Sequence, residues 1–585
     1  MKRSLLCLGA FVAATSTAWA GGGDDGVKQV GPRGQYRGPI DEVVAAFSLS
    51  PSPGGGFGPG GPSEDAFEGY ERWEFWWEIQ KDVLLRSLDG SRRDFLDTRQ
   101  SESGMAGTDV VDAAYVRERI LPALKDILEK STDRDLRAAA LASLGRLGSP
   151  EAVELLAKAA AAGPLEERRQ AILGLGQIDH PKATIALLGV FRDTHERVEL
   201  RSQAALALSL YGKREIMRIL AAEFEARATV EQLVGEQEQF VVAIATALGL
   251  GDSSSRSTSV PLLVRKISEL ARLEGRSRGA RVAMLASLGK LGDPSALPTL
   301  VDALGDEDVE IARAAALSLG DTGAKDAVPA LLAFLADDGA DLQARGFSCI
   351  SLGKLGTPAA LEALRAHLSS RRSRTVPSFA ALGLGLARDY ASAPALREVL
   401  MRKSEDQLRG AFALALGMLR DQASTEPLLA ILERGTCDED LRGYAAVALG
   451  MIRPVGGFDR MLTFAQRDRS RLEGVHRGLT LALGLWGDVR AMPYLLSALR
   501  EESRTSVRAN AIQALGMLRS RSAIDSLCDV LVEAPSRKHP EERTYAAAAL
   551  GALGQKSTVP LYAYAFHGVN YRLRSPLLEY LMQQI

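Results

Sequence analysis

From about residue 112 to 567, apolar residues recur three and four positions apart and are interrupted by short polar turns. That spacing lays one face of an α-helix against a core. Ala296, Leu297, Leu300, Val301 and Leu304 mark one such face, and Gly305-Asp306-Glu307-Asp308 forms the polar turn after it. A second helix rich in Ala and Leu then runs to a Gly pair, so the unit reads as a helical hairpin ended by glycine. Strand-like alternation is nearly absent, and the chain is expected to be all-α.

The hairpin repeats. A phrase running from Arg to Leu-Gly-x-Leu is clearest at Arg281–Gly292, Arg345–Gly356, Arg409–Leu419 and Arg508–Leu518. Taking the first Gly of each phrase or its equivalent, the register positions are Gly145, Gly176, Ser209, Gly249, Gly289, Gly320, Gly353, Gly385, Gly417, Gly450, Gly484, Gly516 and Gly551. Their spacings are 31, 33, 40, 40, 31, 33, 32, 32, 33, 34, 32 and 35, a period that calls for a solenoid. A lone hairpin cannot bury its apolar face without the next one, so the expected fold is an α-solenoid, an armadillo-like superhelix of about 13–14 hairpins. At helix spacings of about 8–10 Å this predicts an open rod on the order of 120 Å long with a concave groove.

The residues then choose between repeat types. The Thr-Pro-Leu-His phrase of ankyrin repeats is missing, and Trp486 is the only Trp after residue 77, against the tetratricopeptide pattern. What remains is Gly292-Asp293-Pro294-Ser295-Ala296, Val328 to Leu331 (Val-Pro-Ala-Leu), and Val507 to Ala511 (Val-Arg-x-x-Ala). These phrases resemble the short HEAT-like repeat of bilin-lyase subunits over about residues 112–567, in an exported bacterial-type HEAT-repeat protein. The resemblance implies the fold and leaves the function open. HEAT-like repeats also build an iron hydroxylase that modifies deoxyhypusine, whose metal is held by several His-Glu pairs. This chain has only His195-Glu196, so that site cannot be assembled from such pairs.

An Arg stands eight residues before the register position in nine units: Arg137, Arg168, Arg201, Arg281, Arg345, Arg409, Arg442, Arg508 and Arg543. The expected role is structural, a ladder in which each guanidinium binds a carboxylate or a helix-end carbonyl nearby; the competing reading is a basic stripe for an acidic ligand. Ser-x-x-Lys occurs at Ser287–Lys290 and Ser351–Lys354, but both fall on the repeat register and lack the companion phrases of penicillin-recognising enzymes. The two 40-residue spacings admit extra segments, and one carries Arg265, Lys266, Arg272, Arg276, Arg278 and Arg281. Arg265, Arg272, Arg276 and Arg278 are therefore candidates for contact with an acidic partner, against the plainer reading of solvated charge.

The ends differ from the repeats. Residues 1–20 carry Lys2 and Arg3, an apolar stretch, and Ala18-Trp19-Ala20, the form of a secretory signal peptide. Residues 21–65 are rich in Gly and Pro and read as a flexible linker. Residues 66–104 hold Trp73, Trp76 and Trp77, expected to form an aromatic helix that caps the solenoid's open end or binds a ligand. The solenoid spans 105–567, and 568–585 is expected to cap the far end. With 71 basic and 73 acidic residues and a pI near 6.4, no general field for nucleic acid is expected. No transmembrane span is expected either, and three free thiols, Cys349, Cys437 and Cys528, should remain after the signal is removed.

These features predict an exported protein, periplasmic, cell-envelope or extracellular. Its expected role is a monomeric, non-enzymatic scaffold without cofactor or metal, holding another exported protein in its concave groove. The alternatives are an enzyme or enzyme subunit on HEAT-like repeats, lyase- or hydroxylase-like, or envelope or polysaccharide binding through the aromatic cluster.

Overall fold

The computed structural model describes residues 73–88, 113–229, 236–271, 278–369, 375–402, 406–468, 472–502, 504–518, 520–532 and 542–554. The expected signal peptide, linker and C-terminal cap lie outside them, as do Arg272 and Arg276.

An N-terminal helix, α1 (Trp73–Leu88), precedes thirteen helix pairs. They are α2 (Leu121–Lys130) with α3 (Arg134–Leu147), α4 (Val153–Ala161) with α5 (Leu165–Gly176), α6 (Pro181–Arg192) with α7 (Val198–Ser209), and α8 (Arg214–Arg227) with α9 (Glu236–Leu248). Next come α10 (Arg256–Leu270) with α11 (Arg278–Leu291), α12 (Leu297–Leu304) with α13 (Val309–Asp321), α14 (Val328–Ala336) with α15 (Leu342–Leu355), and α16 (Pro358–His367) with α17 (Thr375–Leu386). The last are α18 (Ala393–Met401) with α19 (Asp406–Met418), α20 (Thr425–Glu433) with α21 (Glu439–Ile452), α22 (Gly457–Arg467) with α23 (Glu473–Trp486), α24 (Met492–Glu501) with α25 (Thr505–Leu518), and α26 (Arg521–Val532) with α27 (Glu542–Gly554). The described residues form an all-α solenoid.

Local chemistry sets the boundaries. The side chains of Asp133, Asp308, Asp341 and Asp438 accept from backbone N–H groups in the first turns of α3, α13, α15 and α21, satisfying donors that a helix start leaves open. At the other end, left-handed Gly148, Gly356 and Gly487 close α3, α15 and α23.

The odd-numbered helices from α3 onward pack one on the next, and each even-numbered helix covers its own partner from outside. The register glycines allow the inner helices to approach closely: a Cβ on Gly353 would lie 2.3 Å from the Gly383 carbonyl oxygen. Buried apolar side chains from all thirteen pairs merge into one core.

The stack closes on itself. Helix α27, the last described, packs against α3, the first inner helix. Ser143 Oγ donates to the Ala547 carbonyl at 2.8 Å, Arg119 pairs with Asp525 at 2.8 Å, and Arg521 lies over the Tyr115 ring at 4.9 Å. The open rod expected above is thus corrected to a ring. Thirteen repeats making one full turn rotate by about 360/13, or about 28°, per step, which brings the two terminal repeats together. Each terminal repeat covers the other's apolar flank, so the solenoid has no open end there for a capping helix to seal.

Candidate functional site

The aromatic helix lies inside this ring. Trp73, Trp76 and Trp77 are at most 3% exposed, and α1 packs against α17 and α19, in the middle of the repeat series. The expectation that it caps a solenoid end is corrected by that placement. The Trp73 ring meets Tyr444 of α21 at 4.9 Å between centroids, and Trp76 meets Phe379 of α17 edge-on at 6.4 Å. Phe379 in turn stands edge-on to Phe347 of α15 at 5.8 Å, so aromatic packing passes from α1 into the wall.

The wall is shaped for this helix. A Cβ on Gly410 would sit 2.8 Å from Cζ2 of Trp73, so any side chain there would force the indole out. Trp77 and Lys81 line a small cavity together with Asp440, Tyr444, Arg477 and Asn510. Glu74, Gln80 and Lys81 are buried as well, so among the described side chains of α1 polar groups are enclosed along with apolar ones. Asp440, which also pairs with Arg477 at 3.1 Å, brings a negative charge to the cavity that holds buried Lys81, which lowers the cost of burying the ammonium. Sequence periodicity found the aromatic face of α1, but it missed Gly410, Phe379, Tyr444 and Asp440. The signal available was a Gly following the ladder Arg in only some units, as at Arg409-Gly410.

The remaining sequence candidates are placed elsewhere. Ladder arginines sit where an outer helix turns into its inner partner: Arg201, Arg345, Arg409 and Arg442 donate to the carbonyls of Phe191, Leu335, Leu400 and Leu432 at 2.8–3.1 Å. Arg168 binds the Ala160 carbonyl and Glu196, and Arg137 holds Glu167 with two nitrogens at 3.0 and 2.9 Å. Arg281 pairs with Asp306, Arg508 lies over the Tyr545 ring at 4.9 Å, and Arg543 is half-buried on α27. On the extra segment, exposed Arg265 pairs with Glu225, and Arg278 with Asp308.

The serines of the two Ser-x-x-Lys phrases are occupied, and two of the three thiols are suppressed. Ser287 and Ser351 donate to the Ala245 and Ala316 carbonyls of the preceding inner helices at 2.7 and 2.6 Å, so both hydroxyls tie repeats together. Burial pushes the Cys349 thiol up to about 12 and the Cys528 thiol up to about 11, which keeps both protonated at neutral pH.

Comparison with known proteins agrees with the repeat geometry. A model of HEAT repeats matches residues 121–209, 267–346 and 462–538, and a PBS lyase HEAT-like repeat matches 408–434. The chain carries HEAT repeats. This HEAT-repeat protein is 28% identical over 244 residues to deoxyhypusine hydroxylase of Bos taurus, covering 40% of this chain and 80% of that one. It is 24% identical over 252 residues to deoxyhypusine hydroxylase of Mus musculus, covering 42% and 83%. Among solved structures it is similar to the CpcE–CpcF complex of phycocyanin lyase from Nostoc sp. PCC7120, at 21% identity, TM-score 0.30, and 40% and 94% coverage.

The expectation of a chain without enzymatic activity is corrected by these relatives, since both hydroxylases are enzymes by name. The iron donors inferred for such a hydroxylase do not fit here. His195 is exposed, Glu196 is engaged by Arg168, and no group of three or more His, Cys, Asp or Glu suited to a metal occurs among the described residues. No described helix is long and apolar enough to cross a membrane.

Proposed function

We propose that this HEAT-repeat protein is an exported scaffold whose inner face receives an aromatic helix of a protein partner, a seat that its own α1 occupies in the structure described here. The observation that carries the reading is the fit of Trp73 over Gly410 and against Tyr444. An amphipathic helix laid in an apolar groove is a recurring mode of peptide recognition, and Trp and Tyr are its usual anchors. Export is supported by the signal-like residues 1–20.

A second reading has a specific observation behind it. The likeness to two deoxyhypusine hydroxylases favours a catalytic role on the same repeats, carried by residues other than the iron donors.

Crosslinking in the exported fraction tests the first reading. The mature chain and a variant lacking residues 66–104 serve as baits, with a synthetic peptide of residues 66–88 as competitor. A partner held better by the truncated ring and released by the peptide supports the inner-face seat. Capture that the peptide leaves unchanged overturns it.

A further inference from the structure

The seat of α1 offers one contact that α1 does not take. Trp73, Trp76 and Trp77 fill its aromatic end. Lys81 follows Trp77 by four residues and so lies one turn further along the same face. It is 3% exposed, and with Trp77 it lines the cavity formed against α21, α23 and α25. At the positions of α23 that match Asp440 and Tyr444 of α21 stand Gly474 and Gly478, which keep that part of the cavity wall free of side chains.

Two acceptors border this space. Asp440 Oδ1 accepts from Arg477 Nη2 at 3.1 Å, and Asp440 keeps its second carboxylate oxygen beside that bond. Asn510 of α25 is 1% exposed, and its Nδ2 donates to the Arg477 carbonyl at 3.1 Å, which fixes the amide. Its Oδ1 is left without a hydrogen-bond partner among the described residues, a costly state for a buried acceptor. Arg477 lines the cavity as well, with its guanidinium turned to Asp440. Further carboxylates stand nearby: Glu439 accepts from the Gly474 N–H at 3.2 Å, Glu473 accepts from Ser506 Oγ at 2.5 Å, and both draw Arg504, which pairs with Glu502. A cation entering the cavity therefore meets carboxylates as well as Arg477.

A partner helix has to displace α1, which belongs to the same chain as its seat and competes at a high effective concentration. It needs a contact that α1 lacks, and Asn510 Oδ1 beside the cavity supplies one. We propose that the partner's helix carries an Arg where α1 carries Lys81, in the spacing Trp-x2-Trp-Trp-x3-Arg. A guanidinium presents five N–H donors in a planar fork, against three on a compact ammonium, so one side chain can hold the Asp440 carboxylate and also reach Asn510 Oδ1. Its larger head fills space that the Lys81 side chain leaves. A Glu at this position would set a second carboxylate against Asp440 and leave Asn510 unmet. This assignment rests on the inner-face seat proposed above and names the partner's chemistry there.

Fluorescence anisotropy with labelled peptides of residues 66–88 tests it, using the full chain with Trp73→Ala and Trp77→Ala to weaken the hold of its own α1. The peptide with Lys81→Arg is expected to bind about tenfold more tightly than the unmodified one, the gain of one charge-assisted hydrogen bond, and the peptide with Lys81→Glu more weakly. Asn510→Leu in the chain should erase the advantage of Arg. Equal binding of the Arg and Lys peptides, or an Arg advantage that survives Asn510→Leu, overturns the Arg assignment and leaves the seat standing. Failure of every peptide to bind overturns the seat itself. A dimer of the unsubstituted chain in light scattering, dissolved by the unmodified peptide, would give the seat to α1 of a second copy and overturn the assignment to a separate partner. Where the substituted chain fails to fold, hydrogen exchange of residues 73–88 in the otherwise unsubstituted chain decides: Lys81→Arg should slow it about tenfold, and an unchanged rate overturns the proposal.

Discussion

Arg388, Arg420 and Arg453 occupy backbone that glycine occupies in six other repeats, at φ 55°, 51° and 54°. A left-handed conformation costs a residue with a Cβ roughly 1 kcal/mol, partly offset because a cation suits a helix C-terminus. Arg388→Gly should therefore raise the unfolding free energy by up to about 1 kcal/mol in urea titrations. Arg453→Gly should gain less, because its guanidinium also binds the Leu485 carbonyl at 2.6 Å. Lys290 makes the complementary case for pH. Its folded pKa lies below its unfolded one, so between about pH 7 and 10.5 the unfolded chain binds more protons and stability rises with pH. Lys290→Met should remove that slope and add on the order of 2 kcal/mol near pH 6, read by thermal unfolding across pH. The loss of slope is the deciding signal, since a packing change alone would shift all pH values alike.

At the scale of the element, helices were legible because each encodes its own face, cap and stop within about a dozen residues. Asp133, Asp308 and Gly356 could be read as punctuation without knowing what lay next to them. The aromatic face of α1 was equally plain in sequence, whereas its destination was not, because Phe379, Gly410 and Tyr444 stand hundreds of residues away and look like ordinary repeat positions. Gly410→Leu should expel the Trp73 indole while leaving the repeat helices in place, giving a red-shifted tryptophan emission with unchanged far-UV circular dichroism. The ladder gives a contrasting expectation: Arg345→Met removes the donor to the Leu335 carbonyl and should cost about 2 kcal/mol in stability, measured by denaturant unfolding.

For the whole molecule, the period, the hairpin and the repeat number were readable, but closure was not. A small rotation per repeat is not written in any one phrase, and only its sum over thirteen steps brings Ser143 to Ala547. Deleting residues 521–554 should leave α3 without its neighbour and open the ring, so small-angle scattering should report a larger radius of gyration, with lower thermal stability. An open solenoid can add or lose a unit at little geometric cost, since each repeat meets only its neighbours. Here every step shares a fixed total angle, much as staves share the hoop of a cask. Duplicating one hairpin would force all the others to change their tilt or would break the seam, so copy number in this chain is locked by shape, and variation is steered into the loops and the rim.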